Sequence, residues 1–230
     1  MPEEPVEGAR RQLKSREKPW AKKLAAWLGR TGISPNAISV MSLVFTLGAF
    51  VCIMKVSDYP CHACAMWIWG FAAAFIQLRL LCNLLDGMVA IEGGKKSILG
   101  GLFNEVPDRI ADPLLLIAAG YCTDWVVKIW GIPLGWVAAV LSVLTAYIRV
   151  LGGTLTGTQS FIGPMAKQHR MAVLTLACLG SIVELWLRPQ AKFAEEVMRY
   201  ALLIIVVGCI ITCWRRLSLI ARQLREGAKA

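Results

Sequence analysis

Charge is scarce in this chain. Only 17% of its 230 residues are Asp, Glu, Lys or Arg, whereas 57% are hydrophobic. That balance excludes an ordinary soluble domain of this length, which carries more charge and fewer apolar residues. The sequence also lacks an internal repeat and any low-complexity segment. No small-residue cleavage pattern accompanies the first apolar run, which argues against a removable signal peptide. No polar stretch is long enough to fold as a soluble appendage. The expectation is a single polytopic membrane domain over residues 1–230.

Six apolar stretches approach the roughly 20 residues that a membrane-spanning helix needs. They lie at 36–54, 64–85, 106–123, 131–151, 170–187 and 198–214. The predicted fold class is therefore all-α integral membrane, with six transmembrane helices after an amphipathic interfacial helix. Residues 1–35 are read as a cytoplasmic tail plus that helix, 36–214 as the six-helix core, and 215–230 as a basic cytoplasmic tail. In residues 17–30, Trp20, Leu24, Trp27 and Leu28 share one helical face, and Lys22, Lys23 and Arg30 flank it. This pattern suits a helix lying on anionic membrane lipids with its indoles at headgroup depth. The bland reading is a helix packed on the protein itself.

A net charge of +10 raises the question of nucleic acid, but its distribution answers against it. Of the 25 Lys and Arg, 20 fall on the side of the N-terminus: the N-terminal tail, the 79–109 and 149–170 segments, and the C-terminus. The opposite side holds the remaining five: Lys55, Lys128, Arg188, Lys192 and Arg199. This is the positive-inside asymmetry, and it predicts cytoplasmic termini in a bacterial inner membrane with no nucleic-acid partner. Eight cysteines invite a disulfide framework, yet Cys52, Cys82, Cys122, Cys178, Cys209 and Cys213 sit within or at the ends of apolar stretches. They read as small buried hydrophobes. Cys61-His62-Ala63-Cys64 lies on the outer side, where a disulfide or a metal could form, but a lone CxxC is a weak signal.

Carboxylates beside long apolar runs are expensive and mark functional sites by default. Residues 83–112 contain three aspartates so placed, Asp86, Asp108 and Asp112. Asp86-Gly87-x-x-Ala90 is followed by Gly100-x-x-x-Asn104-x-x-x-Asp108, which puts oxygen ligands one helical turn apart. Gly87 and Ala90 lack bulk, so a ligand or a helix can come close to the backbone. Pro107 complicates the helix, since an interior proline removes a hydrogen bond. Between the two helices runs Glu92-Gly93-Gly94-Lys95-Lys96-Ser97, a cationic loop offering Lys95 and Lys96 to phosphate. Oxygen donors suit Mg²⁺, Mn²⁺ or Ca²⁺, and Mg²⁺ is commonly shared between carboxylates and substrate phosphates. Phosphoryl-type chemistry at a membrane surface is the reading; ion pairs of Asp86 and Asp108 with Arg79 and Arg109 are the structural alternative.

This stretch resembles the signature of the CDP-alcohol phosphotransferase family, D-x-x-D-G-x-x-A-R, a short gap, then G-x-x-x-D-x-x-x-D. Asp86, Gly87, Ala90, Gly100 and Asp108 match in identity and spacing, and Pro35-Asn36 resembles the family's Pro-Asn start of the first helix. Asn83 and Asn104 stand where the family has its first and third aspartates, and Ile91 where it has an arginine. The resemblance implies that Asn83, Asp86, Asn104 and Asp108 hold Mg²⁺ or Mn²⁺, that Asp108 deprotonates the acceptor, and that Asn36, Gly87, Ala90 and Gly100 approach the substrate. It implies a CDP-diacylglycerol-type donor, an alcohol acceptor, release of CMP and a homodimer. The two asparagines remove two negative charges while keeping a carbonyl oxygen as a neutral ligand, and Glu92, Glu105 or Asp112 are candidates to compensate.

Arg149, Lys167, His169 and Arg170 bracket a second basic segment. Topology alone accounts for some cations there. The functional alternative is a pocket for a phosphorylated or otherwise anionic acceptor, with arginine giving bidentate phosphate contacts. Two other functions compete with transfer: a non-catalytic or hydrolytic relative that binds CDP-lipids, and, further off, a small transporter. A transporter would place its site near the bilayer midplane on broken helices.

Overall fold

The computed structural model describes residues 18–58, 61–92, 98–123, 131–188 and 195–227. Among them the chain is helical: α1 Pro19–Arg30, α2 Pro35–Lys55, α3 His62–Glu92, α4 Gly100–Cys122, α5 Gly131–Thr156, α6 Lys167–Leu187 and α7 Glu195–Gly227, with a single 3-10 turn at Val56–Asp58. Prolines start two of these helices. Pro19 and Pro35 occupy the first helical position, where a missing N–H costs nothing. Ser34 caps α2 by accepting a hydrogen bond from the Ala37 N–H at 3.1 Å. The Ser-Pro-Asn run that looked like a motif is thus also a helix start.

Five helices, α2, α3, α5, α6 and α7, are long and apolar enough to cross a membrane. The sixth expected span, α4, has 23 residues but carries Glu105, Asp108, Arg109 and Asp112 between residues 105 and 112. Its length fits a span and its composition fits a site. Pro107 and Pro113 both lie inside α4 rather than in its first turn, so two i→i−4 bonds are missing where the charged residues lie. Neighbouring helices make such gaps tolerable in a membrane bundle. With 31 residues, α3 is about 46 Å long at 1.5 Å per residue, well beyond a hydrocarbon core of about 30 Å. Its last turns, with Asn83 and Asp86, therefore project to one end of the bundle.

α2 packs on α3 and α4, α4 on α5, α5 on α7, and α6 on both α3 and α7. The shared core includes Trp69, Ile76, Leu115, Leu116, Met171, Leu174 and Leu202, all fully buried. Outward, Val44, Leu47, Val51, Leu176, Val183 and Val207 stand exposed, as suits helices whose solvent is lipid. Buried Ser42, Thr46, Ser142 and Thr212 donate their hydroxyls to carbonyls three or four residues back, which satisfies them without a partner helix.

The amphipathic α1 divides its face between both readings. Ala21 and Ala25 are buried, and Leu24 and Leu28 pack on a cluster that includes Leu84, Leu85 and Met88 of α3. Trp20 and Trp27 remain about half exposed, at 49% and 60%. The aliphatic residues dock α1 on the protein and leave the indoles partly exposed, with Trp20 also bordering a cavity between the helices. The cysteines follow the expectation: Cys82, Cys122, Cys178, Cys209 and Cys213 are buried, Cys52 is half-buried, and Cys61 and Cys64 are exposed free thiols.

Candidate active site

The C-terminal end of α3 and the N-terminal half of α4 meet the end of α5 and the start of α6 at the same end of the bundle. They enclose a cavity of about 480 Å³ whose wall includes Asn83, Asn104, Glu105, Asp108, Arg109, Arg149, Lys167, Arg170 and Arg216. Six of the candidate site residues thus converge, Asn83, Asn104, Asp108, Arg149, Lys167 and Arg170, together with Glu105, Arg109 and Trp20, which the sequence named in other roles. Asn36, Asp86, Gly87, Ala90 and Gly100 are not on its wall. Lys95 and Lys96 lie outside the described residues, as does the Glu92 side chain. His169 is exposed and off the cavity.

Asp108 is the hub. Its Oδ1 accepts hydrogen bonds from Asn83 Nδ2 at 3.0 Å and from Arg79 Nη2 at 3.3 Å. Its Oδ2 receives the Lys167 ammonium. Behind it, Asp112 takes Arg79 Nη2 at 2.5 Å on one oxygen and Arg170 Nη2 at 2.7 Å on the other. Arg170 also donates to the Thr145 hydroxyl and the Met165 carbonyl, both at 3.1 Å, so its guanidinium is committed inward although it reaches the cavity. Arg79 is fully buried, and its Nε and Nη1 have no partner among the described residues.

The expected ion pair of Arg79 with Asp108 is present; the pairing of Arg109 is with Glu105 instead. Glu105 bridges Arg109 and Arg149, the latter at 2.7 Å. Arg149 also lies over the Phe161 ring, 5.4 Å from its centroid, a cation–π contact. Asp86 turns away from the cavity: Oδ2 accepts from Ser39 of α2 at 2.6 Å and Oδ1 from the Gly87 N–H at 2.5 Å. Ser39 and Arg216 were not singled out in the sequence. Arg216 was counted with a basic tail, but α7 continues as a helix through it and buries its guanidinium, which donates to Ile162 O at 3.0 Å and to Thr145 O. A buried arginine after a long apolar run was the available signal.

All four motif positions offer oxygen, the donor a hard cation prefers. The rest of the arrangement does not fit a divalent ion. Both oxygens of Asp86 and both of Asp108 already accept hydrogen bonds. No group of three His, Cys, Asp or Glu suited to a metal occurs among the described residues. Five cationic side chains line the cavity (Arg109, Arg149, Lys167, Arg170 and Arg216) against two carboxylates, Glu105 and Asp108. Such a wall attracts anions.

The CDP-alcohol phosphatidyltransferase family matches residues 32–214. Inner membrane protein YnbA of Escherichia coli (strain K12) is 24% identical over 155 residues, 65% of this chain and 69% of that protein. The crystal structure of Mycobacterium tuberculosis phosphatidylinositol phosphate synthase with CDP-DAG bound has the same fold, with TM-score 0.68 and 17% identity over 87% of this chain and 92% of that one. The same synthase in complex with manganese and citrate gives a TM-score of 0.69 at 17% identity, covering 87% and 88%. A divalent metal therefore occurs in a solved structure of this fold.

Proposed function

The chain belongs to the CDP-alcohol phosphatidyltransferase family, and from that premise we propose that it moves a phosphatidyl-type group from CDP-diacylglycerol to an alcohol, releasing CMP. One observation carries the reading. The family's last motif carboxylate, Asp108, shares a cavity with both asparagines that replace its relatives and with a cationic wall suited to diphosphate. In the proposed reaction the acceptor hydroxyl loses its proton to Asp108 and its oxygen attacks the phosphorus bearing the diacylglycerol. The bond from that phosphorus to CMP then breaks, and the cations of the wall stabilise the departing charge. Among the described residues, Asp108 Oδ2 is held by Lys167 alone, so that oxygen comes free when Lys167 turns to a phosphate. Asp86 supports the site from behind, fixing α2 to α3 through Ser39.

Asn83, Asp86, Asn104 and Asp108 are the residues that would hold a divalent ion in this reading, but the oxygens of both carboxylates are already engaged within the protein. The acceptor is anionic, since the wall keeps more cations than carboxylates. A homodimer and an anionic lipid surface complete the reading, the latter supported by exposed Trp20 and Trp27 on α1. Asp108→Asn keeps the shape and removes the base, which should lower the transfer rate by about 10²–10⁴ while CDP-diacylglycerol still binds. An undiminished rate overturns the role of Asp108. A second reading, a CDP-lipid binder without transfer, is favoured by the fact that both Asp108 oxygens already have partners. It requires donor binding with no CMP release from the unaltered chain.

A further inference from the structure

Asn83 and Lys167 together do to Asp108 what a bridging cation would. An aspartate at position 83 would set two carboxylates about a hydrogen bond apart, a repulsive pair that needs a positive ion between them. Asparagine reverses that demand: its Nδ2 donates to Asp108 at 3.0 Å, so the contact holds without an ion. On the other oxygen, the Lys167 ammonium from the first turn of α6 reaches across to α4. Its side chain keeps 25% of its surface exposed, and it forms part of the cavity wall. The last motif carboxylate therefore already holds a cation, and that cation faces the space where a substrate would sit. Around it the wall adds Arg109, Arg149, Arg170 and Arg216, so an arriving dication meets net repulsion and an arriving diphosphate meets attraction.

We propose that Lys167 is a built-in substitute for a divalent ion, and that it contacts the diphosphate of the CDP-linked donor so that donor binding needs no metal. This rests on the CDP-lipid reading of the cavity and goes further, because it assigns the diphosphate charge to a side chain. The three changes are linked. Neutral residues at 83 and 104 lower the demand for positive charge by two, and Lys167 supplies the one unit left over at Asp108. Restoring the carboxylates without removing the lysine leaves a self-neutralised site; restoring both carboxylates and removing the lysine recreates a vacancy for a hard cation.

Two readouts on the purified full-length chain in detergent test this, and neither depends on turnover. The first is CDP-diacylglycerol affinity by titration calorimetry in EDTA and in excess Mn²⁺. The second is Mn²⁺ binding alone, by electron paramagnetic resonance. The unaltered chain should bind donor equally, within about twofold, in both conditions and should hold no stoichiometric Mn²⁺. Lys167→Met should weaken donor binding in EDTA by about 10–100-fold, the worth of one or two charge-assisted hydrogen bonds. Lys167→Arg should retain most of that affinity, which separates loss of charge from misfolding. The triple variant Asn83→Asp, Asn104→Asp, Lys167→Met should gain a bound Mn²⁺ signal. Stoichiometric Mn²⁺ on the unaltered chain, or donor binding that collapses in EDTA, overturns the substitution while leaving the transferase reading intact. Absence of donor binding in every condition overturns the CDP-lipid reading and this inference with it.

Discussion

Asp112 sits outside the matched part of the motif, yet it holds two buried guanidiniums, Arg79 at 2.5 Å and Arg170 at 2.7 Å. Asp112→Ala strands two cations in the bundle and should cost about 3–5 kcal/mol, measured as a fall in unfolding midpoint in detergent. A change below about 1 kcal/mol would show that water reaches these arginines. Arg149 and Arg170 should behave differently, although the sequence grouped them. Arg149→Ala should raise the acceptor KM much more than the donor KM, because its guanidinium borders the cavity. Arg170→Ala should act through stability, because its guanidinium is engaged inside the protein by Asp112, Thr145 and Met165. Equal kinetic effects of both would return the pair to a simple topology signal. At this scale the sequence placed Asn104 and Asp108 one helical turn apart on α4, and Asn83 one turn before Asp86 near the end of α3. It did not disclose the Ser39–Asp86 or Arg170–Asp112 contacts, whose partners lie 47 and 58 residues apart. Helical spacing says nothing about partners on other helices.

The helices themselves were more legible than their contacts. Apolar runs located α2, α3, α5, α6 and α7, because a hydrophobic stretch of spanning length leaves little choice but helix. α4 was read at 106–123, late by six residues at its start. Its first two turns carry Gly100, Gly101, Asn104 and Glu105, which dilute the hydropathy where the site needs oxygen. The α4–α5 crossing depends on missing side chains instead. A Cβ on Gly135 would lie 2.7 Å from Gly120 Cα and 2.9 Å from Leu116 O, both backbone atoms. Gly135→Ala should therefore push α5 off α4 and cost about 1–3 kcal/mol, as overpacking does. Gly101→Ala, where a Cβ meets nothing within 4 Å, is the matched control. Equal unfolding midpoints for the two variants would mean that the helices do not pack this closely.

Across the whole molecule, the candidate site residues that line the cavity gather at one end of the bundle, and we propose from the charge asymmetry that this end is cytoplasmic. Single cysteines at Ser15→Cys or Lys229→Cys, in a chain with Cys61→Ser and Cys64→Ser, should react with an impermeant maleimide only after cells are opened. Labelling in intact cells would invert the arrangement. The transfer reading is tested most directly by following CMP and lipid products from CDP-diacylglycerol and the purified chain, with and without a panel of neutral and phosphorylated alcohols. The expected result is CMP and a new phospholipid in equal amounts, formed only when an alcohol is present and fastest with an anionic one. CMP formed without alcohol, or bound donor that yields no CMP with any acceptor, would contradict it.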